Sequence, residues 1–181
     1  MGEKIKGYTS PIHPVQQRLL EILSVMGDVN LETMPRGIDG CGIPVIGMPL
    51  TALATALARM ADPKDLNTTR AEAASQIISA MTDHPNLVAG PGRFDSLTIE
   101  QGNGVLVVKT GAEGVYAGIL PELGLGVALK IDDGAKRAAE ASMLAILKYL
   151  GVLNNIPESP IFSTAKKKVG VIRMQAGWAS K

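Results

Sequence analysis

The chain has 181 residues, 46% of them apolar and 19% charged, with a formal net charge of +1. That is one domain, 1–181, long enough to bury a sizeable core, and its balance excludes disorder and the basic face of a nucleic-acid binder. No apolar run approaches the ~20 residues of a membrane span, the N-terminal MGEKIKGYTS has no apolar signal core, and a single cysteine, Cys41, forbids an intrachain disulfide, so the expectation is a soluble cytoplasmic protein with neither nucleic acid nor membrane as partner.

With 20 glycines, eight methionines and only one Trp, three Tyr and two Phe, the core has to come from aliphatic residues and Met. The first helix opens at Pro14, a favoured first helical residue. Val15, Leu19, Ile22 and Met26 form one stripe, and Gly27 ends it. IDGCGIPVIG at 38–47 reads as a short strand that bends, with Pro44 limiting its pairing. A second helix starts at Pro49 with Leu50, Leu53, Leu57 and Met60 on one face, and Pro63 stops it. The third runs from Asn67, its cap, to about Thr82, with Ala71, Ala74, Ile78 and Met81 as its stripe. A Gly-rich connection, AGPGRFD at 89–95, follows.

The period then changes from helical to alternating. Residues 105–109, 115–120 and 125–131 read as three strands joined by GAEG and PELG, an antiparallel meander. Asp132–Asp133–Gly134 turns into a fourth helix with Ala139, Met143, Ile146 and Leu150 inward, ended by Gly151. After an irregular Asn/Pro stretch, 169–174 reads as a last, edge strand beside three lysines. The order predicts an α+β fold, an antiparallel sheet with helices packed on it.

Each polar candidate has a plain structural alternative. Cys41 sits between two glycines in DGCG; a lone cysteine is usually a small buried hydrophobe, yet in an extended segment it shares a side with Asp39, giving half of a polar or metal site. With only His13 and His84 besides, a closed Cys/His zinc cage cannot be built. Lys109 ends the strongest predicted strand, as either an exposed terminus or an ammonium at a cleft rim. There it can hold a substrate carboxylate, with Thr110 and Glu113 beside it and Gly111 admitting a ligand along the edge. Arg93 follows two glycines and offers a bidentate clamp for a carboxylate, or a salt bridge to Asp95 or another acid. Ser163 and Lys166 have the spacing of a Ser–Lys nucleophile pair, but the surrounding sequence reads as a solvated loop. His13 and His84 precede prolines and suit caps. No complete nucleophile with its base emerges from these residues.

HPVQ at 13–16, DGCGIPV at 39–45, AGPGRFD at 89–95 and, above all, KTGAEGVYAGILPELGLGVALKIDDG at 109–134 together resemble the bacterial L-asparaginase II family, over residues 8–173. The resemblance implies an amidohydrolase taking asparagine to aspartate and ammonia. It also implies the fold of serine β-lactamases and glutaminases, of which this sequence resembles the C-terminal half. Lys109 matches the family's sheet lysine and Asp39 the acid near its zinc site, so these two are the catalytic candidates, with Thr110, Gly111, Arg93 and Glu113, read from the residues themselves, as the substrate-binding candidates. Cys41 matches one zinc ligand. In the family, the nucleophilic Ser-x-x-Lys and the remaining zinc ligands precede HPVQ, and this sequence has no counterpart of them. The expectation is therefore a chain incomplete alone, finished by an N-terminal half or assembled as a homo-oligomer. The alternatives are a non-catalytic amino-acid-binding module or an inactive relic.

Overall fold

In a computed structural model, which describes residues 2–154 and 159–178, helices come first and the main sheet follows. Helix α1 (Pro14–Gly27) begins at its proline; His13 caps it, Nδ1 accepting the Val15 N–H at 3.2 Å. Its buried side differs from the expected stripe. Gln16, Leu20 and Gly27 face inward, while Leu19 and Ile22 are exposed. Gly27 lies so close to the second helix that a Cβ there would stand 3.1 Å from the Ala52 carbonyl oxygen, and Gln16 Nε2 donates to the Tyr8 carbonyl at 2.8 Å. A close backbone approach and a polar tether, both invisible to hydrophobic periodicity, therefore decide which side turns in.

Residues 38–47 form most of a hairpin rather than one bent strand. β1 (Arg36–Ile38) pairs antiparallel with β2 (Pro44–Ile46), Ile38 opposite Pro44. The Asp39 N–H donates to Ile43 O at 2.9 Å, so the neighbouring Ile38–Pro44 pair asks no ladder bond of the proline nitrogen. The turn closes through Gly42, at φ 85°, whose N–H donates to Asp39 O at 2.8 Å.

Helix α2 (Leu50–Ala61) buries Ala52, Ala56 and Ala61, leaving Leu50 exposed and Leu53, Leu57 and Met60 half-buried. The helix is pressed from two sides: Ala52 lies against α1 at Gly27, and Ala54, Leu57 and Ala58 lie over Gly126 of the sheet, with Leu57 and Met60 packed on the core. Helix α3 (Thr68–Asp83) is capped as expected, Asn67 Oδ1 accepting the Arg70 N–H at 2.9 Å. Its Ala74 is buried, and Ile78 and Met81 pack on the core. A single turn, α4 (Pro85–Val88), leads to α5 (Phe94–Gly102). Helix α5 was not expected: its buried residues include Asp95, Ser96 and Thr98, so no apolar stripe marks it.

The meander is as expected. β3 (Val107–Thr110), β4 (Val115–Leu120) and β5 (Leu125–Lys130) form an antiparallel sheet in that order, with Lys109 opposite Ala117 and Val115 opposite Lys130. Helix α6 (Lys136–Tyr149) buries Ala139, Met143, Leu144 and Leu147 against it. Fully buried Leu106, Val108, Tyr116, Met143 and Leu147 centre the core, each aliphatic side chain contributing about 1.5–3 kcal/mol. The chain ends in a separate hairpin, β6 (Ser159–Phe162) with β7 (Lys168–Ile172). β7 is the expected last strand, but its partner β6 was not foreseen, and part of the expected irregular stretch, 155–158, lies outside the described residues. The architecture is α+β, with helices packed against small antiparallel sheets. No helix among the described residues is long and apolar enough to cross a membrane.

Candidate functional site

The polar residues gather at two places. The first is the end of β3. The Gly111 N–H donates to Val115 O at 2.8 Å, so in the alternating antiparallel ladder the Thr110 N–H points to the open edge, away from β4. Asp95 takes it: Oδ1 accepts the Thr110 N–H at 2.6 Å and the Tyr116 hydroxyl at 2.6 Å. Asp95 is 1% exposed and Tyr116 is fully buried. Phe94 meets the Tyr116 ring edge-on, with centroids 5.7 Å apart. Burial above all drives the Tyr116 hydroxyl far above its ordinary pKa. The Asp95 hydrogen bond and charge add to this, as does the Glu140 charge, while Arg93 opposes it. Tyr116 is therefore a permanent donor to Asp95. Buried Ser96 ties down the preceding loop, its Oγ 2.9 Å from Pro85 O and 2.7 Å from Gly90 O.

Lys109 projects from this strand end into solvent, its Nζ donating to Thr110 O at 2.7 Å. Thr110 Oγ1 lies 3.3 Å from Gly111 O. Glu113 is exposed in the β3–β4 turn at φ 52°. Gly111 has a reason of its own to be small: a Cβ there would meet the Val115 side chain at 3.1 Å. Arg93 precedes α5 and is exposed. The suggested Arg93–Asp95 salt bridge does not form, because Asp95 turns inward to Thr110 and Tyr116; no ion pair among the described residues involves Arg93.

The second place is the β1–β2 turn. Asp39 Oδ1 accepts the Gly40 N–H at 2.8 Å, and Cys41 Sγ lies 3.6 Å from Asp39 Oδ2. The two side chains do meet, but across a turn rather than along an extended strand. Cys41 is exposed, contrary to the usual buried state of a lone cysteine. The resemblance implies zinc here. A closed zinc site needs four ligands, and a catalytic one three; the thiol and carboxylate supply two, and no group of three His, Cys, Asp or Glu suited to a metal occurs among the described residues. The donors among the described residues do not by themselves fit zinc. Among the described residues this hairpin and the β3 end belong to separate sheets.

Ser163 and Lys166 occupy the β6–β7 turn, with Lys166 at φ 58° and its N–H donating to Ser163 O at 2.9 Å. Ser163 Oγ accepts the Lys167 N–H at 3.3 Å. This is the solvated loop expected, not a helical nucleophile pair. His13 is a cap whose Nε2 reaches Lys4 O at 2.9 Å; exposed His84 marks the junction of α3 and α4. Asp95 and Tyr116 are the residues that sequence reasoning missed as a functional pair. The available signal was an acid in a helix first turn and a tyrosine directly opposite Thr110 in the meander.

No curated protein matches the sequence. The family model for L-asparaginase II, however, matches residues 1–174, nearly the whole chain. The chain belongs to the L-asparaginase II family.

Proposed function

We propose that this chain is the substrate-holding part of an L-asparaginase-like amidohydrolase, converting L-asparagine and water to L-aspartate and ammonia once a nucleophile-bearing segment is in place. The observation that carries this reading is Lys109. It is a solvent-facing ammonium at an open strand end, bonded to the next carbonyl, on a backbone anchored by a buried carboxylate. Turned away from Thr110 O, it presents a cation to the substrate carboxylate, with Thr110, Gly111 and Glu113 on the same strand end and turn, and Arg93 two residues from the Asp95 that bonds Thr110. Asp39 and Cys41 belong to the same reading as a second polar group; any zinc held through Cys41 draws its other donors from outside this chain.

Association fits the surface. Leu19, Ile22, Leu23 and Val25 on α1, with Ile38 and Val45 on the hairpin, are exposed, and an apolar face of this kind is covered in a stable assembly. We take the partner to be a second copy or the family's N-terminal half, and the location to be the cytoplasm. One observation favours a second reading, a non-catalytic amino-acid-binding module or an inactive relic: the chain's Ser163–Lys166 pair is a hairpin turn and supplies no activated serine. Ammonia release from L-asparagine separates the readings. The first predicts turnover when the N-terminal half of a family member is added to the folded chain. Binding without turnover in that mixture supports the module, and neither supports the relic.

A further inference from the structure

We propose that Asp95 is a positioning residue for the Lys109–Thr110 strand end, an inference that rests on reading Lys109 as the substrate contact. β3 is an edge strand, and its outward N–H groups have no neighbouring strand to bond. At Thr110 that donor is occupied from the side by Asp95 Oδ1 at 2.6 Å. The bond fixes the peptide plane between Lys109 and Thr110, and with it the direction in which the lysine leaves the sheet.

The anchor is itself rigid. Asp95 lies in the first turn of α5, where a carboxylate is favoured by the helix dipole. The same oxygen takes the hydroxyl of fully buried Tyr116, and Phe94 braces that ring. Ser96, the next residue, is bonded to the loop before the helix. The carboxylate therefore cannot swing away without breaking its bonds to two strands, β3 through Thr110 and β4 through Tyr116. A second consequence concerns the ligand. With its N–H taken, Thr110 has no backbone donor to offer, which leaves the Lys109 ammonium as the strand end's cation for a substrate carboxylate.

The test compares Asp95→Ala and Asp95→Asn with Ile99→Val, a core change on the same helix that leaves Thr110 untouched. Two quantities are read in the full chain: exchange protection of the Thr110 amide, and L-asparagine affinity by titration calorimetry. Asp95→Ala is expected to remove the Thr110 protection and weaken asparagine binding by on the order of ten- to a hundredfold, the worth of one hydrogen bond to a charged group. Asp95→Asn, which keeps an acceptor oxygen, is expected to restore part of both. Ile99→Val is expected to lower stability with neither readout moved. Equal affinity losses in Asp95→Ala and Ile99→Val would overturn the proposal, since Asp95 would then act through stability alone. Should the unaltered chain bind no asparagine, the substrate reading fails, and Thr110 protection alone decides the anchor: unchanged protection in Asp95→Ala overturns it.

Discussion

Gly126 on β5 is where the helical layer and the sheet come closest, and Gly126→Ala is the sharpest test of that packing. A Cβ there would stand 2.1 Å from Ala54 O, 2.4 Å from Ala58 N and 2.7 Å from Leu57 Cβ, all on α2. An ordinary carbon–oxygen approach is about 3.3 Å, so the helix has to lift by roughly 1 Å, and the two nearest obstacles are backbone that no rotamer change can move. A gap of that size forfeits a quarter to a half of each dispersion contact between α2 and the sheet, where Ala54, Leu57 and Ala58 lie over Gly126. Overpacking typically costs about 1–3 kcal/mol, and with rigid obstacles the expected loss is at the upper end, about 3 kcal/mol. For a chain of this size that lowers Tm by roughly 6–12 °C. Gly118→Ala is the control: also buried in the sheet, its Cβ would find its nearest neighbour at 3.5 Å, an ordinary contact, and Tm should hold within about 2 °C. Thermal unfolding followed by circular dichroism reads both. Equal Tm values for the two variants would refute the packing argument.

Two further predictions concern the site and a cap. Tyr116→Phe removes one bond to Asp95 and should cost about 1–3 kcal/mol near neutral pH, measured by urea unfolding. The raised folded-state pKa of Tyr116 adds a pH signature. Below about pH 10 the tyrosine is protonated in both states and contributes no slope; above it the unfolded chain alone gives up the proton, so the unaltered protein loses about 1.4 kcal/mol per pH unit relative to Tyr116→Phe. A gap between the two that stays constant to pH 11 would contradict the burial of that hydroxyl. Asn67→Ala should cost about 1 kcal/mol through the lost cap on α3, and a chemical-denaturation midpoint unchanged from the unaltered chain would count against the cap.

The meander and the last long helix were legible because their residues alternate or recur with one period and their turns carry Gly and Pro where the backbone needs them. Gly114 at φ 70° and Gly124 at φ 61° sit in the very turns that GAEG and PELG announced. α1 was placed correctly but turned the wrong way, because close backbone approach at Gly27 rather than the largest side chains decided its buried side, whereas α2 brings Leu57 and Met60 of its expected stripe onto the core and leaves Leu50 exposed. α5 stayed hidden for the opposite reason: its inward face is polar and is satisfied by partners that lie distant in sequence. The same long-range bonding concealed Asp95. Lys109, Thr110 and Glu113 could be grouped from sequence because they adjoin one turn. That Asp39 and Cys41 would meet across a hairpin, with no bond to that turn, depended on pairing that spacing alone does not reveal.

The most direct test of the account is calorimetric titration of L-asparagine into the folded 181-residue chain beside Lys109→Ala and Ser163→Ala. The account predicts binding that Lys109→Ala abolishes and Ser163→Ala leaves intact, with a matching ligand-dependent rise in Tm only where binding persists. Binding that survives Lys109→Ala, or is lost in Ser163→Ala, would contradict it.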